Sequence, residues 1–516
     1  MLTDHPDPTT STTSPATLEA RLRAAAIRVG EAPALLGSTG VLATHHDLRR
    51  IRDGARSRLR DAGVTGQDRV GMVMGRDWRM ALSLTAAMSA CAVAPLDPGL
   101  ADRELRDYLV RLRPRAVLAD AENAPRLRSL LGADTPILSW SVDELDGSAE
   151  DDPRAADDPA LLLFTSGTTG VPKVAQITQG NLSAAADSVA KTLRLDAGDR
   201  ALNAMPLHHA HGILTGLLAP LVSGGSTSCV PLTTQEALLE LIRAAAPTWY
   251  SAAPVVHHTM LAMIRSLPAI ADELRLRVVR STSSALPVPL LERLEETLAV
   301  PVVEAYALTE APGQVASNPL DGPRKPGTVG LPQDSAIVLR TAAGELTDAP
   351  GSTGEVLIRS ANVIAGYLDV PAGEQPFLDG WLCTGDQGAF DEDGYLTLRG
   401  RTANIINRGG EKISPTEIET VLATHPAVRE AAAFGRPHPT LGEETAAAVV
   451  LRAGASATED ELQTFATARL ASYKVPVQIH FLPALPRNSV GKVLHRRLRD
   501  LASRAATGRG HRPSPR

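Results

Sequence analysis

Aromatic residues are scarce in this chain, 3% of 516, and cysteine is scarcer still, with only Cys91, Cys229 and Cys383. These three form no CxxC pair and their number is odd, which excludes a disulfide framework and a thiolate metal site; a reducing cytoplasm is the expected setting. Positive charge is not in excess either. With a net charge of -6 and no basic stripe interleaved with aromatics, nucleic acid is excluded as a partner. Long apolar runs are also missing: the stretch from Ile213 to Val222 is broken by Gly and Pro well short of the ~20 residues of a membrane span, so no membrane is expected. The opening MLTDHPDPTTSTTSP lacks the basic-then-apolar pattern of a secretory signal, and residues 1–17 read as a disordered arm.

What is present is ordinary globular usage, 43% hydrophobic and 21% charged, over a length exceeding the roughly 100–200 residues of one domain. From Leu18 to Leu145, helical patterns such as LEARLRAAAIRVGEA alternate with short apolar runs such as RVGMVM, the rhythm of βα units in a parallel sheet. A second alternating stretch, Leu161 to Val303, predicts a second α/β layer. Between Gly327 and Gly400, dense turns separate SAIVLR, GEVLIRS and YLTLRG, which predicts a small antiparallel, barrel-like unit. After Arg401 the pattern resets to helix, strand, strand, helix. The expected fold is therefore α/β, with an N-terminal domain over 18–400, a small α+β domain over 401–505, and a solvated tail over 506–516.

The strongest signal is LLLFTSGTTGVPK, residues 161–173. An apolar run empties into Thr165, Ser166, Gly167, Thr168, Thr169, Gly170 and Lys173. Small residues let backbone N–H groups approach phosphate oxygens, hydroxyls add hydrogen bonds, and the lysine adds a cation, so the string reads as a phosphate cradle. It lacks the GxxxxGK[ST] spacing of a P-loop.

Here the sequence resembles the adenylate-forming superfamily of acyl-CoA synthetases, peptide synthetase adenylation domains and luciferases, whose pattern is close to SGTTGxPKG. EAYALTE (304–310), GWLCTGD (380–386), GRTANIINRGGEKISPTEIE (400–419) and PRNSVGKV (486–493) resemble the family's later motifs in the same order. PLHHAHG, PTWYSAAP and SNPL are most similar to the oxalate and small-acid CoA ligases.

The resemblance implies ATP, Mg²⁺ and coenzyme A as cofactors and a small-molecule carboxylic acid as substrate. It places Glu310 and Thr165 on the magnesium, with Thr309 beside them. Ser283, Ser284, Ala285, Tyr306 and Ala307 fall at adenine, Asp386 on the ribose hydroxyls, and Arg401 on ribose or phosphate. Lys492 matches the lysine that bridges acid and α-phosphate during adenylation. Gly409, Gly410, Glu411 and Lys412 match the segment that lines the pantetheine tunnel after the C-terminal domain swings about residues 401–404. His209 aligns with the histidine beside the acyl pocket, and His208 and His211 either share polar duties there or are core histidines. The implied pocket wall includes Tyr250, Ala252, Ala253 and Gly313.

Three positions depart from the pattern: Val174 stands where glycine usually follows the cradle lysine, Ala403 where the hinge is usually Lys or Asp, and Gly313 where oxalate ligases carry histidine. If the cradle needs positive φ after Lys173, Val174 distorts it and adenylation suffers. Two readings therefore stand beside a two-step acid–CoA ligase: thioester formation alone, completing the work of a partner ligase, or adenylation for a carrier protein. The expected acid is bulky and less polar than oxalate, as in antibiotic biosynthesis and other specialised metabolism, because a second carboxylate is costly to bury without a donor or cation.

Overall fold

The computed structural model describes residues 16–75, 77–132, 135–147, 154–165, 173–230, 234–401, 404–408, 411–438, 440–488 and 491–500. Four sheets organise them. The seven-stranded first sheet holds Arg69–Val73, Ala92–Pro95 and Ala116–Ala119 in parallel, then adds the antiparallel hairpin Pro159–Thr165 and Lys173–Thr178, with Tyr367–Leu368 at the edge. The nine-stranded second sheet is parallel through Arg200–Asn203, Trp249–Ala252, Val278–Ser281 and Val302–Tyr306.

The two α/β layers do not divide the chain where the hydrophobic rhythm does. Pro33–Gly37 and Gly40–Thr44 leave the first stretch to close the edge of the second sheet, while Pro159–Thr165 and Lys173–Thr178 join the first. Strand patterning specifies which face is apolar and carries no information on which edge a strand will join.

Local signals hold well. Thr178 starts the helix Gln179–Thr192 with a reciprocal cap: its hydroxyl accepts the Asn181 N–H at 3.2 Å, and the Asn181 side chain accepts the Thr178 N–H at 3.1 Å. That helix is small on its inner face, with Ala185, Ala186 and Val189 buried, so it packs closely over the second sheet.

Where a barrel-like unit was expected, Ser335–Arg340, Thr353–Ser360, Trp381–Phe390 and Leu396–Arg401 form a six-stranded antiparallel sheet with two short strands. The fourth sheet lies wholly beyond Arg401 and is built on the long pair Val428–His438 and Gly442–Leu451. One face buries Ala433, Ala447 and Val449 under the helices Pro415–Ala423 and Glu459–Thr467; the other buries Phe434, Ala446 and Ala448 under Leu485 and Leu498. That second cover brings the segment containing Lys492 over the N-terminal sheets.

Among the described residues no helix is long and apolar enough to cross a membrane.

Candidate active site

A cleft of about 1500 Å³ opens between the carboxyl ends of the second-sheet strands, the third sheet and the segment around Lys492. Binding at the carboxyl ends of parallel strands is the general habit of α/β sheets. Val302–Tyr306 delivers Tyr306 to this edge, and the loop after it delivers Ala307, Thr309 and Glu310, all of which line the cleft. The Tyr306 hydroxyl donates to Asp386 Oδ2 at 2.5 Å, and both residues are buried. Asp386 is set in turn by its own N–H, which donates to Thr384 Oγ1 at 3.0 Å, and its strand register places Arg401 directly opposite. Ser283, Ser284 and Ala285 form the facing loop, in which Ser283 takes φ +78°.

On the cradle side, Glu310 Oε1 accepts the Tyr367 hydroxyl at 2.5 Å, and Lys173 Nζ stands 5.0 Å from the centre of the same tyrosine ring. Tyr367 thus joins two predicted residues that are far apart in the chain, and no spacing in the sequence announces it. Thr165 and Lys173 pair across the hairpin and line the cleft; Ser166, Gly167, Thr168, Thr169 and Gly170 lie outside the described residues, as do Ala403, Gly409 and Gly410. Glu411 and Lys412 belong to the short strand Glu411–Ile413, with Lys412 opposite Asn407.

Val174 does not distort this hairpin. It lies in the extended strand Lys173–Thr178, is absent from the positive-φ residues, and is fully buried among Ala92, Ala94, Leu112 and Leu162. Its methyl groups fill the space beneath the first sheet, away from any demand for left-handed backbone, so the strain expected from its β-branch is not there.

The pocket wall also needs correction. Tyr250, Ala252 and Ala253 belong to a core cluster with the flanking helices, and the Tyr250 hydroxyl is spent on His257 Nδ1 at 3.1 Å. Strand residues alternate faces, so the neighbour Ser251 points the other way, toward the site. His211 is the centre of what Ser251 meets: its Nε2 lies 2.7 Å from Ser251 Oγ and its Nδ1 2.9 Å from Ser283 Oγ. Burial, followed by the Arg280 charge, pushes the His211 imidazole well below its ordinary value, so it is neutral and can donate to one serine while accepting from the other. Arg280 itself is fully buried, its guanidinium donating to the Gly313 carbonyl at 2.9 Å with Gln314 Oε1 at 3.4 Å. His208 and His209 line the cleft with rings 4.4 Å apart, and His208 Nε2 lies 3.5 Å from Asp97 Oδ2.

Gly313 lines the cleft at φ +81°, and an ideal Cβ there would sit 2.9 Å from the Ala185 carbonyl oxygen. Glycine is required by the close helix, so this position could not host an imidazole without moving Gln179–Thr192.

Glu304, one strand position before Ala305, was not singled out by the sequence. Its Oε1 accepts the Leu286 N–H at 3.0 Å, supporting the Ser283–Leu286 loop from below, and its Oε2 is buried without a partner among the described residues. Burial raises its carboxyl to about 8, against the lowering effect of the Leu286 hydrogen bond. Because the folded chain then holds a proton that the unfolded chain releases above its ordinary value of 4.5, stability falls as pH rises from about 4.5 to about 8 and levels beyond. Glu304→Gln is expected to remove that fall, so its melting temperature should exceed the native one by a margin that widens from pH 5.5 to pH 8. A constant margin across that range would show that Glu304 does not carry the proton.

The comparisons with known proteins agree with this geometry. A profile described as AMP-binding enzyme matches residues 22–368, and one described as AMP-binding enzyme C-terminal domain matches residues 417–492. The chain is a member of the adenylate-forming CoA ligase family. It is 36% identical to an oxalate–CoA ligase of Arabidopsis thaliana over 88% of this chain and 92% of that one. It is 37% identical to a probable CoA ligase of Humulus lupulus, over 93% and 95%. Its fold superposes on ATP-bound MatB from Rhodopseudomonas palustris with a TM-score of 0.87 at 26% identity, covering 95% of this chain and 99% of that one. In this ligase, the Tyr306–Asp386 pair, the Glu310–Tyr367–Lys173 cluster and Lys492 all line the same cleft.

Proposed function

We propose that this ligase runs both half-reactions on a carboxylic acid, using ATP, Mg²⁺ and coenzyme A. The observation that carries the reading is the convergence of Asp386, Glu310, Lys173 and Lys492 on one cleft. In the first step a carboxylate oxygen attacks the α-phosphorus of ATP and the bond to pyrophosphate breaks. In the second, the thiolate of coenzyme A attacks the acyl carbon and AMP leaves. Lys492 and Lys173 supply positive charge where two anions must meet, and Asp386 with Tyr306 holds the nucleotide through both steps.

Magnesium suits the donors present. No group of three or more His, Cys, Asp or Glu side chains able to hold a metal occurs among the described residues, whereas Glu310 and the Thr165 hydroxyl offer the one or two hard oxygens that Mg²⁺ takes alongside substrate phosphates. When bound, the ion supplies charge neutralisation at the phosphates.

The acid we propose is larger and less polar than oxalate, a product of specialised metabolism. Ala210, Val255 and Gly313 line the same cleft as His209, and the buried guanidinium of Arg280 turns its two terminal nitrogens to protein oxygens. Only its Nε lacks a partner among the described residues, and Arg280 does not line the cleft, so a second carboxylate would have to be buried to reach it.

The alternatives, thioester formation from a partner ligase's acyl-adenylate or loading of a carrier protein, lose the distortion at Val174 that motivated the first of them. Two assays decide among the readings: pyrophosphate release across a panel of acids, and acyl-CoA formation from synthetic acyl-adenylates. Pyrophosphate release keeping pace with acyl-CoA formation, fastest on a bulky apolar acid, is the expected result. Acyl-CoA formation without pyrophosphate release would overturn the two-step reading, and oxalate as the fastest acid would overturn the proposed substrate.

A further inference from the structure

The hairpin that carries Lys492 is tied down by side chains with no part in the chemistry above. Arg487 and Val493 pair as an antiparallel bridge, the Asn488 N–H donates to the Lys492 carbonyl at 3.0 Å, and the Gly491 N–H donates to the Asn488 carbonyl at 2.9 Å. The Lys492 N–H is held by Asn488 Oδ1 at 2.8 Å. Asn488 therefore closes the turn on both sides of the lysine.

Arg487 joins that turn to the body of the fourth sheet. One guanidinium nitrogen donates to the Gly491 carbonyl, and the other donates to Glu430 Oε2 at 2.5 Å. Glu430 sits on Val428–His438, the long strand whose two faces are both packed. Burial works to raise the Glu430 carboxyl, but the Arg487 hydrogen bond and charge outweigh it and hold the group below the ordinary carboxylate range, so the pair is ionised. Both side chains are mostly shielded, at 26% and 19% exposure, which places the pair above the weak class of fully exposed surface bridges.

Beside Lys492 the chain comes close to the N-terminal sheets. Gly491 has φ +80°, and an ideal Cβ on it would stand 2.4 Å from Val255 Cγ1, on the helix Pro254–Ser266. The backbone next to Lys492 thus approaches this helix more closely than any side chain would allow.

We propose that Arg487 is a positioning residue for Lys492: by gripping the Gly491 carbonyl and Glu430 at once, it fixes the height and tilt of the hairpin at its seat on Val255. The inference rests on the assignment of Lys492 to adenylation. A lysine on a flexible stem loses much rotamer freedom when it acts as a point charge, and a shift of about 1 Å at a reacting group costs on the order of a hundredfold. A rigid base for the stem removes part of that cost.

The test uses the full-length chain. Arg487→Ala is expected to lower the kcat of pyrophosphate release about 10- to 100-fold, change KM for ATP less than about threefold, and leave acyl-CoA formation from synthetic acyl-adenylate within about twofold. Arg487→Lys, which keeps the charge but not the two-direction fork, and Glu430→Gln, which keeps an acceptor, should fall between native and Arg487→Ala. The double variant Arg487→Ala/Lys492→Ala should release pyrophosphate no more slowly than Lys492→Ala alone, because a residue acting through Lys492 has nothing left to act on. Equal loss of both half-reactions in Arg487→Ala and Glu430→Gln, or a multiplicative loss in the double variant, would overturn the proposal in favour of general support or an independent contact. Unchanged pyrophosphate release in Arg487→Ala, or none from the native chain, would also overturn it. Unchanged release in Lys492→Ala would instead remove the assignment on which it rests, a result the single variants separate from the others.

Discussion

Lys492→Ala is expected to lower pyrophosphate release at least about a hundredfold while leaving acyl-CoA formation from supplied acyl-adenylate within a few-fold of native. Removing one preorganised donor from a developing charge typically costs on the order of 10²–10³ in rate. The asymmetry follows from placement. Lys492 is on the fourth-sheet side of the cleft, carried by a hairpin that meets the N-terminal sheets through Gly491 and Val255, whereas the Tyr306–Asp386 pair belongs to the N-terminal sheets themselves. The domain swing that the family resemblance implies would take Lys492 with it and leave the pair behind. Measuring the two half-reactions separately checks this; a matched fall in both would mean that Lys492 supports the cleft and not the first step.

Asp386→Ala should act on both half-reactions, with kcat/KM falling about a hundredfold or more in each. Asp386 is 7% exposed and accepts the hydroxyl of Tyr306, itself 5% exposed, so truncation removes the proposed nucleotide contact and also strands a buried donor. Leaving such a donor unpaired costs about 1–3 kcal/mol, and a lower melting temperature should accompany the kinetic loss. Tyr306→Phe is the milder change, because the carboxylate remains to receive the ligand, and a loss of about tenfold or less is expected. Titration of acyl-adenylate binding distinguishes the two variants from a folding defect: affinity should drop sharply for Asp386→Ala and little for Tyr306→Phe. Native thioester formation in Asp386→Ala would show that the carboxylate is not a nucleotide ligand in the second step.

Much of the site was readable because its residues sit in short, ordered strings. Tyr306 to Glu310 end or follow the strand Val302–Tyr306, Ser283 to Ala285 follow Val278–Ser281, Asp386 lies within Trp381–Phe390, and all of them line one cleft. Reading failed where a choice between alternate positions had to be made. Tyr250 and Ala252 were taken for the pocket wall, yet they share the face that packs on the helices, and Ser251 between them faces His211. A run that is apolar on both sides of a buried strand gives no clue to which parity meets the ligand. Val174 failed for a related reason, since a residue judged as part of a loop is in fact the first fully buried position of a strand.

The sequence by itself determined the fold class, a phosphate cradle and the order of the motifs that carry the family resemblance, because hydrophobic period, loop composition and motif order are properties of contiguous residues. Only the tertiary structure decided which strands crossed from one sheet to the other, that Tyr367 would join Glu310 to Lys173, that Arg280 would stand behind the residues that line the cleft, and that Glu304 and Arg487 would brace their neighbours in its wall. These are contacts between segments far apart along the chain, and their partners are chosen by packing and by the need to satisfy buried polar groups, neither of which leaves a local pattern.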